Sequence, residues 1–169
     1  NPLGPIKEAE EHAAEAFKAE HAHFLVNGTT AGIHAMILSV ANPGDKILIP
    51  RNAHRSVVGG LILSGAKPIY INPIIDENMG IAMGITPESV RRALIEHPDA
   101  KAVFVINPTY YGVASNLKEI VKIAHSYDKP VIVDEAHGAH FGFHEKLPLS
   151  AMEAGADMSA ASVHKLIGS

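Results

Sequence analysis

The closing stretch "SVHKLIGS" (162–169) sets Lys165 between a serine–histidine pair and apolar neighbours, just after a run of small residues. In isolation Lys165 reads as an ordinary surface cation. At the carboxyl end of a strand and partly desolvated, the same amine can attack a carbonyl and hold it as a Schiff base. Ser162 and His164 would add donors to an anion beside it. "VIVDEAHGAH" (131–140) carries a second unusual placement. Asp134 ends the most apolar strand-like run, where an ionised carboxylate is costly unless it meets a positive partner such as a protonated ring nitrogen. Ala136 is small enough for a flat ring to lie against it, and His137 could donate to a ring oxygen. In "RNAHRS" (51–56), His54 either stacks a neutral imidazole on a planar ring or caps a helix. In "VNGTTAG" (26–32), Gly28 permits close backbone approach, and Thr29 and Thr30 open a helix whose free N–H groups and dipole favour an anion. That stretch alone reads equally well as a strand-to-helix turn capped by threonine.

Two other readings compete for these residues. "DEAH" matches a helicase box, but no G-x-x-x-x-G-K-[ST] cradle occurs anywhere in the chain, which excludes a nucleotide-driven motor. His137, His140 and His144 with Asp134 could suggest a metal cluster. Their spacing fits neither H-E-x-x-H nor a helical i, i+4 pair, and Gly138 and Gly142 point to a loop, so no metal is expected and His140 and His144 read as loop residues. Taken together, the four clusters offer a phosphate seat, a stacking histidine, a carboxylate for a pyridinium nitrogen and an imine-forming lysine. That conjunction is the pyridoxal 5'-phosphate pattern.

Helix-period stretches alternate with short apolar runs along the chain. The opening "GPIKEAEEHAAEAFKA" is helical, with Ile6, Ala9, Ala13, Ala16 and Phe17 on one face. Strands are expected at 22–26, 46–50, 67–72, 101–106, 129–135 and 157–162. Helices are expected at 29–41, from about 54 to 64, in "TPESVRRALIEH", at 115–127, and briefly near 149–154, with a long loop after residue 72. The apolar runs are continuous rather than alternating, which predicts a largely parallel sheet buried on both faces, a three-layer α/β/α fold. Each polar cluster follows a strand, where ligands of such sheets collect.

The 169 residues suffice for one domain with a sizeable core. Apolar residues at 47 % and charged residues at 19 % argue against disorder. A formal charge of -4 leaves no basic stripe for nucleic acid. The chain has no cysteine, so disulfides and thiolate metal sites are excluded. The longest apolar run, 35–41, falls well short of a membrane span, and a soluble, cytoplasmic protein is expected.

The chain resembles the cofactor-binding large domain of fold-type I pyridoxal phosphate enzymes, and within them the bacterial Orn/Lys/Arg decarboxylases, nearest to the shorter biosynthetic arginine-acting branch. The likeness is carried by "GPIKEAEEHAAEAF", "NGTTAG", "PGDKILIPRNAHRS", "HPDAKAVFVINPTYYGVASNLKEIV", "VIVDEAHGAH", "LPLSAMEAGAD" and "SVHKL". It implies that Lys165 holds the cofactor, Asp134 pairs with the ring nitrogen and His54 stacks on the ring. Thr29, Thr30, Ser162 and His164 would contact the phosphate, His137 the ring hydroxyl, and Thr109 and Tyr110 would line the pocket. It further implies decarboxylation of a basic amino acid, arginine before lysine or ornithine, in polyamine biosynthesis by a homodimer or larger homo-oligomer. Residues 1–169 would then be a partial large domain, lacking a leading segment and a carboxyl-terminal domain. Aminotransferases, aldolases and acyl-CoA condensing enzymes share the same lysine and aspartate, and an inactive truncated scaffold is a further alternative.

Overall fold

The computed structural model describes residues 2–167. The helices are α1 (Pro5–Ala16), α2 (Gly28–Val40), α3 (Arg55–Ser64), α4 (Pro87–Glu96), α5 (Leu117–His125) and α6 (Val163–Leu166). The strands are β1 (Lys46–Pro50), β2 (Lys67–Ile71), β3 (Ile75–Asp76), β4 (Ile81–Ala82), β5 (Ala102–Ile106), β6 (Val131–Glu135) and β7 (Met158–Ala161). Five strands form one sheet in the order β2-β1-β5-β6-β7, every neighbouring pair parallel. The order reverses between β1 and β5, because the chain runs outward from β1 to β2 and then returns to the other side of β1. A crevice opens at the carboxyl ends of strands at such a reversal.

Side chains alternate across the sheet and feed two cores. Val103 and Val105 of β5, with Val131 and Val133 of β6, join α4 and α5 in one core. Phe104 and Ile132 point the other way, into a core with Ile33 and Ile37 of α2 and Val57 and Leu61 of α3. By the same alternation Asp134 falls on the α2–α3 side and Glu135 on the α4–α5 side. The expected three-layer fold is therefore the observed one. Among the described residues, no helix is long and apolar enough to cross a membrane.

Three expected elements differ. Residues 22–26 form no strand: Phe24, Leu25 and Val26 are 58 %, 45 % and 87 % exposed, and the backbone N–H of Phe24 donates to Glu10 Oε1 instead of to a strand. The short helix near 149–154 is a single turn, closed by Ala154 N–H to Ser150 O at 2.9 Å and ended by Gly155 at φ 89°. The long loop after residue 72 contains the β3–β4 hairpin. Helix α4 starts as its sequence demands, with Thr86 and Ser89 exchanging side-chain-to-backbone bonds and proline in the first turn.

Candidate active site

The crevice is a cleft of about 370 Å³. Each wall follows from a strand or helix end. The turn after β1 supplies Asn52 and His54, the loop after β5 supplies Tyr110, and β6 with its following turn supplies Asp134, Ala136 and His137. The segment after β7 supplies Ser162, His164 and Lys165, and the start of α2 supplies Gly28, Thr29 and Thr30. The ten residues expected to bind the cofactor, and Tyr110, thus border one cleft, whereas Thr109 lines the neighbouring hollow instead.

At one end, α2 and β7 are tied together. Thr29 Oγ1 donates to Ala161 O at 3.3 Å and is hydrogen-bonded to the buried Ser162 Oγ. The threonine-capped turn is not what forms: Asn27, at φ 71°, is the residue before the helix and its side chain makes no cap bond. The first-turn N–H groups of α2 are therefore left without side-chain acceptors, the condition under which a helix start attracts an anion. Gly28 follows at φ 64°, in the left-handed region, with open space where a Cβ would stand.

At the other end, Asp134 is 5 % exposed and its Oδ1 accepts the Ala136 N–H at 3.1 Å. Burial pushes its carboxyl above the ordinary range; the Ala136 bond and the charges of His54, Lys165 and His137 pull the other way. Lys165 Nζ lies 3.2 Å from His137 Nε2. Burial, and next the Lys165 charge, hold His137 below the ordinary imidazole range, so the neutral ring is favoured. Contrary to the partly desolvated placement expected, Lys165 is exposed, riding on the short helix α6 rather than directly on the strand end. His54 caps α3, its Nδ1 accepting the Ser56 N–H at 3.2 Å, while still lining the cleft, so its two readings are compatible.

His140 and His144 stand apart from the cleft lining. His140 packs against Phe141 at 4.8 Å between ring centroids, and His144 Nδ1 accepts from Lys146 N. No group of three or more metal-binding side chains occurs among the described residues. Sequence reasoning passed over Asn27, Asn52, Ser56 and Ile106, which also border the cleft. Asn52 and Ser56 could have been found from their positions beside His54 after β1.

Comparison with known sequences matches residues 1–169 to the family described as Orn/Lys/Arg decarboxylase, major domain. An arginine decarboxylase of Bacillus subtilis (strain 168) is 60 % identical over 168 residues, covering 99 % of this chain and 34 % of that protein. The lysine decarboxylase LdcA of Pseudomonas aeruginosa is 31 % identical over 155 residues, covering 84 % of this chain and 20 % of that protein. Among solved structures, the constitutive lysine decarboxylase of E. coli superposes with a TM-score of 0.80 at 28 % identity, over 97 % of this chain and 25 % of that one. The chain spans about a third of the length of the Bacillus arginine decarboxylases it matches.

Proposed function

The chain belongs to the Orn/Lys/Arg decarboxylase family, and from that premise we propose that it is the cofactor-binding part of a pyridoxal 5'-phosphate-dependent decarboxylase. The substrate is a basic amino acid, arginine in the first place, and the products are the amine and carbon dioxide. The setting is cytoplasmic polyamine biosynthesis, in a homodimer or larger homo-oligomer. The reading is supported by relatives about 60 % identical that are named arginine decarboxylase. The single observation that carries it is that Asp134, Lys165 and the Thr29–Ser162 junction all border one cleft.

The donor set fits the cofactor. Asp134 is a buried carboxylate whose charge is penalised, and its carboxylate bond is to the Ala136 N–H, a neutral donor. A pyridinium N–H would supply the missing positive partner. Lys165 Nζ would hold the aldehyde carbon, while Thr29, Thr30, Ser162, His164 and the α2 N–H groups would hold the phosphate beside Gly28. Ala136 would present only a methyl group to the ring, with His54 stacked over it and His137 at its hydroxyl. When bound, pyridoxal phosphate supplies an electron sink for the pair left on the α-carbon as carbon dioxide departs. Asp134 would keep the ring nitrogen protonated and so keep that sink electron-poor. His137, 3.2 Å from Lys165 Nζ, would orient the lysine amine by a hydrogen bond.

The test uses the full-length parent protein, its visible spectrum, borohydride fixation of the cofactor, and carbon dioxide release from arginine, lysine and ornithine. Lys165→Ala abolishes borohydride-fixable attachment. Asp134→Ala keeps part of the cofactor and loses about two orders of magnitude or more in kcat. Wild-type turnover in Asp134→Ala contradicts the assignment. A cofactor band without carbon dioxide release indicates a different reaction of the same cofactor.

A further inference from the structure

We propose that the hollow beside the cofactor cleft, bordered by Asn52, Tyr110 and Tyr111, receives the distal cationic group of the substrate and selects a planar guanidinium over an ammonium. This rests on the decarboxylase reading and adds to it a basis for substrate choice. The hollow, about 460 Å³, lies between the β3–β4 hairpin and the loop after β5. It adjoins the cofactor cleft, Asn52, Ile106 and Tyr110 lining both.

A series of rings leads from one to the other. His137, 3.2 Å from Lys165 Nζ, meets Tyr110 edge to face at 5.6 Å and 83°. Tyr110 meets Tyr111 in the same manner at 5.6 Å and 87°. An amino acid with its α-amino end at Lys165 therefore reaches the tyrosines with its far end, provided its side chain is long.

A basic side chain needs an electron-rich partner at that far end. Among the described residues no carboxylate lines the hollow. Asp76, next to the lining residue Ile75, has its Oδ1 occupied by the Asn78 and Met79 N–H groups, both at 2.9 Å. What the walls offer instead is aromatic surface, with Tyr110 79 % and Tyr111 56 % exposed. The negative face of a tyrosine ring attracts cations. A guanidinium is flat and weakly hydrated and stacks on such a face, whereas a compact ammonium keeps its water more tightly. The same chain shows the pairing elsewhere, with Arg51 Cζ 5.2 Å from the Tyr70 ring centroid. Asn52 adds an acceptor. Its Nδ2 donates to Met83 O at 3.4 Å, and its Oδ1 is buried with no partner among the described residues. A guanidinium N–H would satisfy it.

The experiment compares Tyr111→Ala and Tyr111→Phe with wild type in the full-length, cofactor-loaded protein, using arginine and lysine as substrates. Tyr111→Ala raises KM for arginine about five- to thirty-fold and changes KM for lysine less, with the cofactor band unaltered. Tyr111→Phe, which retains the ring, keeps the wild-type KM. A variant-free measurement accompanies it: the guanidinium amine formed from arginine inhibits wild type more tightly than the diamine formed from lysine. An unchanged arginine KM in Tyr111→Ala, an equal loss for both substrates, or equal inhibition by the two amines overturns the proposal. Absence of the cofactor band or of carbon dioxide release in wild type overturns the decarboxylase reading first, and this inference with it.

Discussion

Glu135 adjoins Asp134 in the chain and faces the opposite side of the sheet, where its Oε1 accepts the Ala151 N–H at 2.7 Å. Burial, with a smaller contribution from the Glu153 charge, pushes its carboxyl up from the ordinary 4.5 to about 7. A carboxyl whose folded pKa exceeds its unfolded one binds its proton more tightly when folded. The resulting stability is complete below about 4.5 and is lost as pH rises through about 7. The gap corresponds to about 3 kcal/mol. Glu135→Gln keeps an acceptor for Ala151 but cannot ionise. Urea melts at pH 5 and pH 8 should show the wild type losing more stability between them than Glu135→Gln, by up to that amount; parallel losses would contradict the assignment. At this scale the sequence was informative where residue type and strand end coincided, as for Asp134 in β6 and Ser162 directly after β7. It put Asn52 beside His54 but could not show that Asn52 shares a hollow with Tyr111, because that hollow forms only where loops almost sixty residues apart meet across the sheet reversal. It also offered nothing to separate Glu135 from its neighbour, since the two differ by which face of β6 they occupy.

The elements that hold the site depend on close approaches that leave no room for added atoms. The turn after β6 crosses the start of the loop after β5 at Gly138. A Cβ there would stand 2.8 Å from Glu135 Cγ, 2.8 Å from Pro108 Cδ and 3.2 Å from Asn107 O. The first belongs to a buried side chain, the second to a rigid ring and the third to backbone, so none can yield without moving a strand end. Gly138→Ala should cost about 1–3 kcal/mol, read as a lowered urea midpoint, and should weaken cofactor binding by shifting His137. A wild-type midpoint would mean that the turn relaxes freely. Elements with their own start and stop chemistry were legible in the sequence, as for α4 with its Thr86 and Pro87. Residues 22–26 looked like a strand because they are apolar, but a strand also needs a partner edge, and that requirement is set by the rest of the sheet. The turn at 149–154 looked helical by composition. Locally, Ser150 and Glu153 bond to each other, and Glu135 takes the Ala151 N–H, so the segment closes after a single turn.

For the molecule as a whole, the site sits between two cores that share one sheet, and β5 is one of the strands through which they are joined. Phe104 lies fully buried on the α2–α3 side, while its neighbours Val103 and Val105 lie fully buried on the α4–α5 side. Removing the ring leaves a cavity under α2 and α3, but the strand that borders it is also the wall of the other core. Close-packed interiors transmit such a loss rather than confining it. Phe104→Ala should therefore cost about 3–5 kcal/mol. The loss should appear as one cooperative transition, with hydrogen exchange accelerating in α5 as well as in α2. Faster exchange confined to α2 and α3, with α5 protected as in wild type, would show that the two layers unfold separately. In that case the cleft, which draws Thr29 from the start of α2 and Asp134 from the central strands, would lose its phosphate seat before its aspartate.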